Sequence, residues 1–184
     1  MRVSKGQAIL RFAVEDVSGK TISLDDYNGQ HVLLSFFRNA GCPFCNLTLI
    51  KLIERYKNFS NRGLQTIAFF QSPKETVNEY VVARQPPFPI IADPNKEVYD
   101  KYAIETSLIG GIKSVTSAPA RIGAIIRGDV VLGRIDGDAF LMPAQFIIGP
   151  DGAIVRSHYG TDFGDKIPLI EIEEILLTQV VTPR

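Results

Sequence analysis

Two cysteines separated by two residues are the side chains in this sequence best suited to covalent chemistry. Cys42 and Cys45 are the chain's only cysteines and lie in the segment Asn39-Ala-Gly-Cys-Pro-Phe-Cys-Asn46. A thiolate is a nucleophile, and two thiols on one helical turn come close enough to form a disulfide. The pair can therefore cycle between a dithiol and a disulfide, which is the chemistry of a thiol-dependent oxidoreductase.

The flanking sequence predicts that the cysteines lie where a strand turns into a helix. The apolar run His31–Phe37 predicts a buried strand, and Pro43 suits the first position of a helix, which we expect to end at Arg62-Gly63. The free N–H groups at a helix N-terminus favour a thiolate over a thiol. We therefore expect Cys42, at the cap, to be the more exposed sulfur and to titrate below about 8.5.

Two other interpretations of the cysteine pair have to be weighed. Structural zinc needs four ligands, but the chain has no third cysteine, and His31 and His158 are far apart in sequence. Two buried thiols that only fill space remain the second alternative. We favour a redox site because the motif lies between a strand and a helix, and we expect neither a metal nor another cofactor.

Composition limits the remaining function classes. With 184 residues, of which 45% are hydrophobic, the chain is long enough for one domain, residues 1–184, with a sizeable core. Its 20 basic and 20 acidic residues cancel, so we expect neither a nucleic-acid partner nor a membrane partner. The absence of a signal-like N-terminus and the low cysteine count predict a reducing cytoplasm as the setting.

Strands and helices alternate along the chain, which predicts an α/β fold with a parallel crossover around the cysteine helix. Ser72 is expected to cap the second helix, Asp93 to cap the third, and 104–140 to be an insertion of helix and loop with basic residues on a solvated face. The other predicted elements are a hairpin from runs 8–14 and 21–24, a helical turn at 25–29, strands at 64–70 and 90–92, a hairpin over 142–156, and a last helix ending before the 178–184 tail.

The order of these elements resembles the thioredoxin fold, with an added N-terminal hairpin and an insertion before the last hairpin. Over most of residues 7–177 the chain resembles the peroxiredoxin-like alkyl hydroperoxide reductase/thiol-specific antioxidant (AhpC/TSA) family. The stretch Phe36-Phe-Arg-Asn-Ala-Gly-Cys-Pro-Phe-Cys-Asn-Leu47 is similar to the F-Y-R-G-x-W-C-P-x-C-N-L stretch of its C-x-x-C members. The resemblance implies a central mixed sheet flanked by helices, and an antioxidant thiol activity.

The resemblance also implies roles for residues around the thiols. Pro143 matches the cis proline that lies beside the active site in thioredoxin-like folds, and Phe37 is expected to cover part of Cys45. The family's peroxidatic cysteine corresponds to Cys45 in one register and to Cys42 in the other. The family's arginine falls near Pro143, so Arg38 is a candidate substitute. We expect Cys42 to attack and Cys45 to resolve, because a nucleophile has to be reachable as a thiolate.

The cysteine pair and the family resemblance together are compatible with three functions. The first is reduction of hydroperoxides through the Cys42/Cys45 cycle, with an external dithiol, thioredoxin-like or glutathione, as reductant. The second is exchange with a protein disulfide, and the third is a non-enzymatic interaction domain on the same fold. Self-association as a homodimer is compatible with each of them.

Overall fold

The computed structural model describes residues 2–116, 123 and 133–180. Expectations for 117–122 and 124–132, which include Arg121 and Arg127, lie outside the described residues. Among the described residues, the β-strands are β1 (Ala13–Glu15), β2 (Thr21–Ser23), β3 (His31–Phe37), β4 (Leu64–Phe70), β5 (Ile90–Ala92), β6 (Ala144–Ile148) and β7 (Ile154–Tyr159). The α-helices are α1 (Pro43–Asn61), α2 (Lys74–Tyr80), α3 (Glu97–Lys101), α4 (Leu108–Thr116) and α5 (Leu169–Val180).

A mixed five-stranded sheet forms the centre of the fold, as the sequence predicted. Its strand order is β5-β4-β3-β6-β7. Strands β3, β4 and β5 are parallel, whereas β6 is antiparallel to β3 and β7 is antiparallel to β6. The strand that leads to the cysteines is thus the middle one, and it is hydrogen-bonded on both edges.

Both faces of this sheet are buried, which explains why β3 and β4 carry apolar residues on both faces rather than on one. Successive side chains of a strand point to opposite faces, so Leu34 and Phe36 join one core and Leu33 and Phe37 the other. The second core also contains Cys42, Cys45 and apolar residues of α1 and α5 (Leu49, Leu52, Phe59, Ile172 and Leu176). The cysteines therefore belong to the hydrophobic interior.

Several local expectations differ from the structure. The N-terminal hairpin forms, but its first strand is short, and Ala8 instead makes an isolated bridge to Ala153. The last helix continues through residue 180 rather than ending before 178. Asp93 accepts hydrogen bonds from the N–H groups of Glu97 and Val98, both at 2.9 Å, so it caps α3 as expected.

The segment 104–140 contains α4, which the sequence did not delimit, and its described part leads back to the sheet at β6. The definition of 104–140 as an insertion, and of the whole chain as one domain, stays a prediction. No helix among the described residues is both long enough and apolar enough to cross a membrane.

Candidate active site

Cys42 and Cys45 lie at the junction of the central strand and the first helix. Cys42 is the N-cap of α1, with an extended backbone, and Pro43 is the first helical residue, as predicted. The Cys42 N–H donates to the Asn39 carbonyl oxygen at 3.1 Å, which closes a tight turn after β3. Both cysteines are free thiols in this structure. The predicted strand-to-helix placement is therefore confirmed.

The expected difference in exposure between the two sulfurs is wrong, because each cysteine is only 2% exposed. The loop 133–141 accounts for the burial of Cys42. Its Gly133 N–H donates to the Gly41 carbonyl oxygen at 3.0 Å, and a Cβ atom on Gly41 would lie 2.3 Å from the Arg134 carbonyl oxygen. The loop thus packs on the backbone next to Cys42.

The two thiols line two different cavities, and the sizes of these cavities distinguish them. Cys42 lines a cavity of about 370 Å³ with Arg38 and Asn39. Cys45 lines a separate cavity of about 10 Å³, with room for about one water molecule. Much of the rest of the larger cavity's wall is apolar (Pro43, Phe44, Ile112, Ile135, Phe140 and Phe163). Of the two thiols, only Cys42 faces a space that could hold a substrate.

The electrostatic environment separates the thiols further. Burial acts to raise the pKa of Cys42, but a hydrogen bond from the Cys45 thiol, the charge of Arg38 and the N–H groups of Cys45 and Phe44 outweigh it. The pKa of Cys42 is lowered from 9.0 to about 6. Burial and the neighbouring Cys42 thiolate raise the pKa of Cys45 well above 9.0. At neutral pH the pair therefore consists of a Cys42 thiolate and a Cys45 thiol that donates to it.

Arg38 is the cation of this site. It follows β3 directly, is 4% exposed, and donates from Nη1 to Cys42 Sγ at 3.0 Å. Its Nε donates to the Leu141 carbonyl oxygen at 2.9 Å, its Nη2 donates to the Ala139 carbonyl oxygen, and its guanidinium stacks 3.2 Å from the ring centroid of Phe163. These contacts fix the guanidinium on the sulfur, while two carbonyl oxygens and an aromatic ring, all neutral, hold the rest of the group.

Phe37 and Pro143 support the site in different ways. Phe37 stacks on Phe70, and its carbonyl oxygen accepts a 2.5 Å hydrogen bond from the Tyr99 hydroxyl, which fixes the end of β3. Pro143 lines the small cavity beside Cys45. The expected cis bond at Met142–Pro143 is wrong, because this peptide bond is trans. The trans form is the intrinsically preferred one for an X–Pro bond, by about 0.5–1 kcal/mol.

Ser72 has a role that its sequence position did not indicate. The helix α2 begins after Pro73 with no side-chain cap, so the expected capping by Ser72 is wrong. Its hydroxyl instead accepts from the Ala40 N–H at 2.9 Å and donates to Asp136 at 2.5 Å. Ser72 thus connects the turn before Cys42 to the loop 133–141. The partners are 32 and 64 positions away in sequence, so no local pattern could identify them.

Two asparagines at the site were also missed as functional candidates. Asn46 is buried in the first turn of α1, and its side chain donates to the carbonyl oxygens of Ala40 and Cys42 at 2.7 and 3.0 Å. Asn39 is fully buried at the cavity, and neither polar atom of its side chain has a hydrogen-bond partner among the described residues. The described residues contain no cluster of three or more His, Cys, Asp or Glu side chains able to hold a metal ion.

A thiolate–thiol pair at the N-terminus of a helix, beside a central mixed sheet, defines a redox protein of the thioredoxin-like class. The family model of the AhpC/TSA family matches residues 5–157, so the chain belongs to that family. The resemblance inferred from the sequence is thereby confirmed.

Curated relatives fall into two functional groups. The thiol-disulfide oxidoreductase ResA of Bacillus subtilis is 24% identical over 160 residues, which cover 86% of this chain and 69% of ResA. A protein assigned as a peroxiredoxin in Mycobacterium tuberculosis is 23% identical over 157 residues, covering 84% of this chain and 92% of that protein. Both groups use thiol chemistry, so the relatives support an oxidoreductase without choosing the substrate.

Solved structures confirm the fold. A mutant of PrxQ from Xylella fastidiosa superposes with a TM-score of 0.68 at 14% identity, covering 98% of this chain and 97% of that one. A protein from Chlorobium tepidum assigned as the thiol:disulfide interchange protein DsbE superposes with a TM-score of 0.63 at 20% identity, covering 95% and 99%. The thioredoxin-like α/β fold predicted from the sequence is therefore correct.

Proposed function

We propose that the protein reduces hydroperoxides, with Cys42 as the nucleophile and Cys45 as the resolving thiol. The observation that carries this proposal is the environment of the Cys42 sulfur. Arg38 Nη1 donates to Cys42 Sγ at 3.0 Å and favours the thiolate, and Cys42 lines the larger cavity. Cys45, with a raised pKa, remains the protonated partner. A low-pKa thiolate with ligand access is what the first step of peroxide reduction needs.

The reaction has three balanced steps. The Cys42 thiolate attacks the hydroxyl oxygen of ROOH, an S–O bond forms as the O–O bond breaks, and the leaving alkoxide takes a proton to become ROH. The Cys45 sulfur then attacks the sulfenic acid on Cys42, which forms the disulfide and releases water. One dithiol of a thioredoxin-like protein, or two molecules of glutathione, then reduces the disulfide, restores both thiols and is itself oxidised to a disulfide.

Single serine substitutions test the assigned roles. We expect Cys45→Ser to consume one equivalent of hydrogen peroxide and to hold a sulfenic acid at Cys42, whereas Cys42→Ser should be inert in stopped-flow oxidation. Intact mass and non-reducing peptide mapping of the oxidised wild-type protein should find an intramolecular Cys42–Cys45 disulfide. The reverse behaviour of the two variants would assign the attack to Cys45, and free thiols only would contradict the cycle.

Exchange with a protein disulfide is the second candidate. It is supported by the likeness to ResA and to the DsbE-assigned structure, and by the two-residue spacing of the thiols. In that reaction Cys42 attacks a partner's disulfide and Cys45 releases the partner from the mixed disulfide. A reduced protein that is inert toward peroxides but rapidly reduces a model protein disulfide would select this function.

Inertness in both assays would favour the third function, a non-enzymatic interaction domain. Homodimer formation stays a prediction for either activity.

A further inference from the structure

The Arg38 guanidinium is held along its edge by hydrogen-bond acceptors and across its face by an aromatic ring. Its nitrogens donate to Cys42 Sγ and to the carbonyl oxygens of Ala139 and Leu141. Its central carbon, Cζ, lies 3.2 Å from the ring centroid of Phe163. The N–H groups of a guanidinium point outward in its plane, so hydrogen bonds at the edge resist tilting less than a contact on the face does. Among the described contacts, the ring of Phe163 is the one on that face.

Phe163 is itself fixed by helix α4. Its N–H donates to Ser114 Oγ at 2.6 Å, and Ser114, which is fully buried, donates in turn to the Gly110 carbonyl oxygen at 2.8 Å. A Cβ atom on Gly111 would lie 3.1 Å from Phe163 Cζ, so the ring packs closely on the backbone of the helix. The helix that the sequence did not delimit therefore reaches the site through Phe163.

We propose that Phe163 is a positioning residue for the Cys42 thiolate, because its ring holds the Arg38 guanidinium in the orientation that reaches Cys42 Sγ. A cation over an aromatic face is attracted to it, and more strongly where water is excluded. Because the ring orients Arg38 while Cys42 is still a thiol, little side-chain freedom is lost when the thiolate forms. The inference rests on the thiolate of the proposed function, which peroxide reduction and disulfide exchange share.

The pH dependence of Cys42 reports on this contact because few other charges act on the sulfur. Among the described residues that line the Cys42 cavity, Arg38 is the only one with a charged side chain, and Cys45 is the other titratable group that acts on Cys42. Lys113 of α4 is exposed. The other charged side chains of the neighbouring loops have partners outside the cysteine pair (Arg134 with Thr76, Asp136 with Ser72, Asp138 with Phe140, Asp162 with Gly164, Asp165 with His158 and Lys166 with Thr48).

The test compares the wild-type protein with Phe163→Leu and Phe163→Met, which keep an apolar side chain but remove the ring. Phe44→Leu is the matched control, because Phe44 lines the same cavity and its ring makes no contact with Arg38 among those described. Each substitution is also made in the Arg38→Met background. Two quantities are measured on the reduced proteins: the pH profile of alkylation by iodoacetamide, read at Cys42 by peptide mapping, and the urea midpoint of unfolding.

We expect both Phe163 variants to raise the inflection of Cys42 alkylation from about 6 by roughly half to one pH unit, because Arg38 then has to be ordered as the thiolate forms. At pH 6 their alkylation should be roughly two- to fivefold slower than that of the wild-type protein. Phe44→Leu should keep the wild-type inflection. In the Arg38→Met background, the Phe163 substitutions should move the inflection by less than about 0.3 pH units, because the ring then has no cation to hold. A merely structural role of Phe163 would not depend on Arg38.

Other outcomes overturn the inference. A wild-type inflection in both Phe163 variants would show that the carbonyl oxygens alone orient Arg38, and a lowered inflection would show that the ring acts by keeping water from the thiolate. Equal shifts with and without Arg38, an equal shift in Phe44→Leu, or loss of the folded state in both Phe163 variants would make Phe163 a structural residue.

Failure of the proposed function is a separate result. A wild-type protein that is inert toward hydroperoxides refutes peroxide reduction, but alkylation needs no peroxide and still decides the role of Phe163. A wild-type inflection near the ordinary value of 9.0 would instead refute the thiolate itself, and the inference with it.

Discussion

Replacing Arg38 by methionine should raise the pKa of Cys42 and move the pH at which the protein becomes reactive. The guanidinium donates to Cys42 Sγ at 3.0 Å, and a hydrogen bond to a charged group is worth about 1.5–3 kcal/mol. At 1.36 kcal/mol per pKa unit, its loss should raise the pKa of Cys42 from about 6 by roughly one to two units.

The expected effect on reactivity depends on pH. At pH 6 the wild-type thiol is about half ionised, and the Arg38→Met thiol should be ionised to roughly 1–10%, so its reaction with iodoacetamide should be roughly 5- to 50-fold slower. At pH 9 both proteins are largely thiolate, and the alkylation rates should converge. A deficit in peroxide rate that persists at pH 9 would measure the contribution of Arg38 to cleavage of the O–O bond.

The assay is the pH profile of Cys42 alkylation, read by intact mass, together with stopped-flow oxidation by peroxide. Arg134→Met is the matched control, because this exposed arginine lies in the loop 133–141 and donates only to Thr76 Oγ1, at 3.4 Å, among the contacts described. Its profile should keep the wild-type inflection. An Arg38→Met profile that also keeps its inflection near pH 6 would refute the assignment of Arg38 as the cation that holds the thiolate.

Two further predictions concern stability. Gly41→Ala should lower the free energy of unfolding, measured by urea denaturation, by about 1–3 kcal/mol, because the new Cβ atom would lie 2.3 Å from the Arg134 carbonyl oxygen. An unchanged urea midpoint of unfolding would mean that the loop 133–141 packs differently on Gly41. The stability of the reduced protein should rise with pH from 7 to 8.5, because the pKa of Cys42 is lower in the folded state, about 6, than its ordinary value of 9.0. The contribution of Cys42 to the free energy of unfolding is complete above about pH 9 and is lost as the pH falls through about 6. One titrating group can change the free energy of unfolding by at most about 1.4 kcal/mol per pH unit. Burial lowers the pKa of His31, so this group is already neutral in the folded protein across the window, and the raised pKa of Cys45 acts with the opposite sign. Cys42→Ser should therefore remove the rise in stability, and a rise that persists in this variant would contradict the assignment.

Local patterns in the sequence are sufficient for the elements that carry the site. The apolar run of β3, the proline at the start of α1 and the glycine after its end are short-range signals, and each predicts its element correctly. The burial of β3 follows from its apolar residues on both faces. These predictions succeed because strand burial and helix capping depend on residues close in sequence.

The features that local patterns miss depend on contacts between distant parts of the chain. The sequence predicts an exposed Cys42 because a helix cap usually is exposed, but the loop 133–141 covers it through Gly41 and Arg38. Arg38 reaches carbonyl oxygens 101 and 103 positions away. Ser72 has the sequence pattern of a helix cap, although its partners come from two other segments. Hydrophobic periodicity carries no information about such pairings.

The hydrogen bond from Arg38 to Cys42 has a consequence for the reduction potential of the protein. In the disulfide the sulfur is neutral, so the buried guanidinium keeps its carbonyl partners but loses its only anionic one among the contacts described. A thiolate with a pKa of about 6 stabilises the dithiol at pH 7 by roughly 1.4 kcal/mol relative to an ordinary thiol, which corresponds to roughly 30 mV. The arrangement that makes Cys42 a good nucleophile therefore also raises the reduction potential of the Cys42–Cys45 disulfide, so a regenerating dithiol should reduce it more readily.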